Sequence, residues 1–219
     1  MKPKSVKLLC LLLWEEIKRL VHENTVLMMV MSLILSFLAQ GQAIDPDILA
    51  PQMNAVLRVE GLFLLFLYFA LEYAKFTLIP DKSTKRLEFL LANGLSLWQI
   101  FTLYVSSILI VTTCTLLPSY AFLRNQMTPW LLVYILVQHL ALAIWMVVTC
   151  MRVENMNKVN SFQILLSLIF FVILAIAFLC YNATKTVPAF MLCKTGLIFF
   201  IIAITALPIN KERLIQSYY

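Results

Sequence analysis

Six apolar runs, each close to the length needed to cross a bilayer, recur along this chain, and the charged residues gather between them. About 20 consecutive apolar residues span the roughly 30 Å hydrocarbon core as a helix. Hydrophobic residues make up 62% of the chain and charged residues 13%, against about 45–50% and about 25% in soluble domains. A soluble fold is therefore excluded. Lipid cannot satisfy backbone N–H and C=O groups, so spanning segments are helices or closed barrels. The period-two alternation of a barrel is missing, which leaves an all-α polytopic membrane protein.

Residues 5–23 pattern as an interfacial amphipathic helix. Leu9, Leu13, Ile17 and Leu20 recur at helical spacing, with Glu15, Lys18, Arg19 and His22 on the other side. Glu15 and Arg19 are four apart with the acid first, the favourable order for pairing. An apolar face beside a basic one suits a helix in the headgroup plane; the alternative is a plain extension of the first span. A basic start and a short apolar run mimic a signal peptide, but Glu15 and Glu16 break the run and no small-residue cleavage site follows.

Spans are predicted at 25–40, 60–79, 97–117, 129–150, 161–181 and 188–207. A polar loop at 41–58, holding Asp45 and Asp47, separates the first two. Ser96 and Gln99 have capping-box spacing at the start of the third span, and Pro118 is expected to stop it. Thr128 is the expected N-cap of the fourth, with Pro129 at the first helical position. Asn160 and Gln163 stand at capping positions of the fifth. Pro208 ends the sixth. The chain reads as one transmembrane domain over 1–219.

Six spans put both termini on one side. With that side inward, thirteen of the 17 Lys and Arg residues are internal, and only Arg58, Arg124, Lys185 and Lys194 are external. Cationic residues gather at cytoplasmic loops, so both termini are expected in the cytoplasm of a cell-membrane protein. The net charge of +6 is then topological and needs no nucleic-acid partner.

Few residues carry chemistry. The five cysteines have no metal-type spacing and read as packing residues. No glycine-rich phosphate cradle, Gly-x-Ser-x-Gly or His-Glu-x-x-His motif occurs. His139 lies mid-span in the fourth helix, and Glu72 near the end of the second. Either could line a pathway; His139 could equally be a neutral bridge between helices, and Glu72 could pair with Lys75. Arg58, Glu60, Trp98, Trp130 and Tyr134 read as interface anchors, and Asp45 and Asp47 as solvated loop charges. Glu15-Glu16 with Arg19 is similar to the paired glutamates of intramembrane CAAX-type proteases, but one residue short and without supporting histidines.

Between the second and third spans, 81–94 reads as a short charged amphipathic helix. Leu87, Leu90 and Leu91 make an apolar stripe at helical spacing, suited to a groove on another protein. Lys82, Lys85 and Arg86 could meet acidic residues there, and Gly94 suits the left-handed position after a helix end. An interfacial helix resting on membrane lipid is the alternative.

The order interfacial helix, two spans, cytoplasmic helix, four spans resembles the membrane subunit of type-2 ABC exporters. The local match is Leu87-Glu88, Leu90-Leu91-Ala92 and Leu95-Ser96, followed by Trp98-Gln99-Ile100. The family's Gly-Thr is replaced by Lys85-Arg86 and its usual Pro by Gly94. The resemblance implies a permease subunit with a coupling helix at 81–94. Lys82, Lys85, Arg86, Leu87, Glu88, Leu90 and Leu91 would then contact a separate ATPase subunit that holds the ATP and Mg. It implies no enzymatic site or cofactor on this chain, and a pathway shared with a second or related permease copy. The rival readings are a non-transporting accessory or immunity-type protein, and an intramembrane protease.

Overall fold

The computed structural model describes residues 3–21, 23–41, 51–124, 127–152 and 159–206, and the regular elements there are α-helices. In chain order these are α1 (Pro3–Leu20), α2 (Glu23–Gly41), α3 (Pro51–Phe76), α4 (Leu78–Ser83), α5 (Arg86–Ala92), α6 (Leu97–Phe122), α7 (Pro129–Arg152), α8 (Val159–Thr184) and α9 (Val187–Ala206). Among the described residues, five stretches are long and apolar enough to cross a membrane: Gln52–Ser83, Leu97–Phe122, Pro129–Arg152, Gln163–Thr184 and Val187–Ala206. A sixth is reached when Leu9–Leu20 and Asn24–Phe37, bent 71° apart, count as one broken span.

The helices divide into a core and a flank. In the apolar windows of α3 and α7, 67% of residues are buried, against 22% in α8 and α9. Phe63, Phe66, Tyr73, Tyr104 and Trp145 fill the space where α3, α6 and α7 meet. The α8–α9 hairpin turns Ile164, Leu168, Leu179, Leu192 and Phe200 outward. On the other flank α2 lies against α6, where the buried Ser32 hydroxyl reaches the Thr115 carbonyl at 3.5 Å. Small hydroxyl residues permit such close helix approach in lipid.

Two sequence-derived helix starts are found as drawn. Ser96 accepts from the Gln99 N–H and the Gln99 side chain accepts from the Ser96 N–H, a complete capping box opening α6. α7 begins at Pro129.

Other boundaries move. The expected polar loop is helical from Pro51, because Pro at a first helical position is preorganised; Asp45 and Asp47 lie outside the described residues, as does His22. Pro118 does not stop α6, which runs on to Phe122. Its last turn is held by burial of Tyr120 and Leu123, and neighbouring helices make Pro tolerable in a membrane helix. α8 starts at Val159, so Asn160 lies inside its first turn rather than at its cap.

Candidate functional site: a charge-braced knuckle between α3 and α6

The region expected to be one helix over 81–94 is two. Lys85 adopts a left-handed backbone, φ 60°, which breaks the chain between α4 and α5. The break folds α5 back so that Arg86 reaches Asp81. At the far end Gly94 takes φ 85°. Its N–H bonds the Leu91 carbonyl and the Leu95 N–H bonds the Leu90 carbonyl. This is the Schellman ending that Gly94 was expected to supply.

Four ionic groups from three helices close a ring at this knuckle. Arg19 of α1 binds Asp81 through both terminal nitrogens, each at 3.0 Å, and Glu16 at 3.1 Å. Arg86 of α5 reaches Glu16 at 2.8 Å and Asp81 at 3.1 Å. Tyr104 of α6 donates to Asp81 Oδ2 at 2.6 Å. Two carboxylates and two guanidiniums balance, and the forked Arg geometry fixes orientation as well as charge. Glu16 and Asp81 are 1% and 2% exposed, whereas the argininies keep one edge in solvent. Lys82 adds a fourth tie by donating to the Met151 carbonyl at 2.8 Å, where a cation also favours the C-terminal end of α7.

The apolar stripe faces inward. Leu87 and Leu90 are buried in the chain's own core and Leu91 packs against it. Lys82 is buried too, and Arg86 is committed to the ring. Burying Leu stems on the bundle removes more apolar area from water than leaving them exposed for a partner. Glu88 Oε1 is buried with no hydrogen-bond partner among the described residues. Lys85 remains exposed, and it is joined on the outer face by Ser83, Thr84, Asn93 and the 66% exposed ring of Phe89.

The Glu15–Arg19 pair is replaced. Glu15 pairs with Lys18 in solvent, and Arg19 turns to Glu16 and Asp81. Glu72 pairs with Lys75 at a half-buried position.

A second cluster lies inside the bundle, away from the knuckle. Glu60 and Lys194, expected at the membrane boundary and on the outer side, are 3% and 0% exposed and form an ion pair. Tyr134, also expected as an interface anchor, is buried and donates to Glu60 at 2.7 Å. The Lys194 ammonium lies 4.3 Å from the Phe63 ring centre and 4.9 Å from that of Phe170. Trp98 and Trp130 stay exposed. His139 joins Thr113 at 3.1 Å and Tyr120 at 2.7 Å, stacked on Phe66 at 4.3 Å. It is a buried bridge between α7 and α6.

Comparison with protein-family models, curated proteins and solved structures gave no match. Among the described residues no group of three His, Cys, Asp or Glu is placed to hold a metal ion.

Sequence reading missed Glu16, Asp81 and Tyr104 as partners, because the ring joins residues 62 apart in the chain. Lys194 carried a usable signal: an ammonium between two apolar runs is expensive in lipid and is kept only with a partner.

Proposed function

We propose that this chain is the permease subunit of an ATP-driven exporter of the type-2 ABC kind, with the α4–α5 knuckle as the element that a separate ATPase subunit grips. The observation that carries this reading is the ionic ring joining α1, α4 and α5, tied to α6 by the Tyr104 hydroxyl. A lever must be stiffly joined to what it moves. A push on the knuckle would reach α6 through Tyr104 and Asp81, α7 through Lys82, and α1 through Arg19 and Glu16.

The partner-facing surface is revised from the leucine stripe to the exposed tip, Lys85 and Phe89. Leu87 and Leu90 hold the tip in place from below. The Lys and Arg distribution favours a cytoplasmic position for this end. The outward apolar face of α8 and α9 suits contact with lipid or a second permease copy.

The test is co-purification with reconstitution. The tagged chain should bring an ATPase in fixed stoichiometry, and Phe89→Asp with Lys85→Glu should release it while the permease stays folded. Asp81→Ala should keep the ATPase bound but cut ATP-driven transport. A chain that purifies with no ATPase from its native membrane, at any detergent strength that preserves its fold, contradicts the proposal.

A further inference from the structure

An apolar groove of about 270 Å3 opens where α2, α3 and the end of α6 meet. Leu35, Leu62, Leu65 and Leu123 line it, and Gly61 and Arg58 complete its α3 wall. Arg58, Gly61, Leu62 and Leu65 follow i, i+3, i+4 and i+7 spacing, so they share one face of α3. The groove therefore has a cation at one end and leucines below it.

Arg58 is half-buried and makes no hydrogen bond or ion pair among the described residues. The Ser36 hydroxyl beside the groove is already spent on the Ser32 carbonyl. Seventeen helical rises separate Arg58 from Lys75, about 26 Å, close to the hydrocarbon thickness of roughly 30 Å. Arg58 thus stands at headgroup level, at the bilayer face opposite the knuckle. Gly61 leaves open space where a Cβ would project, with no atom within 4 Å. The volume falls just under the roughly 300–1,000 Å3 of compact small-molecule pockets and suits part of one alkyl chain.

We infer that the groove binds one anionic phospholipid, its acyl chain between α2 and α3 and its phosphate on the Arg58 guanidinium. Arg holds phosphate with two parallel hydrogen bonds. A zwitterionic headgroup brings a quaternary ammonium next to that same cation, so a headgroup without one is preferred. The site stands whether or not the chain is a permease.

Native mass spectrometry of the full-length protein tests this, by titration with phosphatidylglycerol and with phosphatidylcholine of identical chains. Wild type should bind phosphatidylglycerol more tightly. Arg58→Gln should weaken that binding about tenfold, the loss of one charge-assisted contact, and remove the headgroup preference, while Arg58→Lys keeps part of it. Gly61→Phe, which fills the groove, should weaken both lipids alike. Helicity by circular dichroism checks each variant; if Gly61→Phe does not fold, Gly61→Leu takes its place and Arg58→Gln still decides the headgroup. Equal affinity of wild type for the two lipids, or an unchanged preference in Arg58→Gln, overturns the site. A dimer that Gly61→Phe dissociates and that carries no phosphatidylglycerol assigns the groove to a second copy and also overturns it.

Discussion

The two buried charge clusters of this molecule are built differently. At the knuckle, two acids meet two argininies that keep a wet edge, and the bonds branch over four helices. Inside the bundle a single acid meets a single ammonium, enclosed by Phe63, Tyr134 and Phe170 and fully dry. A branched ring can lose one bond and keep its shape. The dry pair holds one cation only, and stripping Lys194 leaves Glu60 a charge that the Tyr134 hydroxyl alone cannot neutralise. The first arrangement suits a joint that carries load between elements. The second suits a fixed pin that seats α9 against α3 and α7.

Breaking the pin should therefore have the largest effect. Lys194→Ala leaves Glu60 buried without a cation, its remaining partner the Tyr134 hydroxyl, and should cost about 3–5 kcal/mol of folded-state stability, read by thermal or steric-trap unfolding in micelles. Replacing both partners, Glu60→Leu with Lys194→Met, should recover most of that loss, because a matched apolar pair carries no desolvation penalty. If the double variant is as unstable as the single one, the cost belongs to packing and the contrast with the knuckle fails.

Asp81→Ala removes the centre of the ring. It should cost about 2–3 kcal/mol, less than Lys194→Ala, since the freed argininies reach water. Tyr104→Phe, which deletes one hydrogen bond and keeps the ring system, should cost about 1–2 kcal/mol by the same unfolding measurement.

Leu87→Ala and Phe89→Ala sharpen the comparison within one short helix. The buried Leu87 should cost about 2–4 kcal/mol on truncation. The exposed Phe89 should change stability by under about 0.5 kcal/mol while lowering association with the partner. A small effect is also expected at Glu72→Gln, under about 1 kcal/mol, because its pair with Lys75 is partly solvated.

Much of the architecture was legible. Apolar length placed the helices, and Ser96-x-x-Gln99 and Gly94 placed two of their ends, because caps and left-handed glycines are local chemistry. What was not legible is long-range. Nothing near Asp81 in sequence names Arg19 or Tyr104 as its partner. The Leu87, Leu90 and Leu91 stripe was read as a face for a partner's groove, and helical periodicity is silent on whether a face is buried by its own chain or by another. Glu60, Tyr134 and Lys194 were assigned to boundaries because each lies within a few residues of a polar stretch. For Glu60, a helix that overruns the hydrocarbon core carries the residue inward. α3 and α4 together run from Gln52 to Ser83, 32 residues, well beyond the roughly 20 that a bilayer requires.

Site-specific photocrosslinking in intact cells is the most direct probe of the braced knuckle. A benzophenone side chain in place of Phe89 should yield a covalent product with an ATP-hydrolysing subunit, while the same probe at Leu87 should react only within this chain. A product with the ATPase from position 87 and none from position 89 would mean that the leucine stripe, not the exposed tip, meets the partner, and would contradict the account.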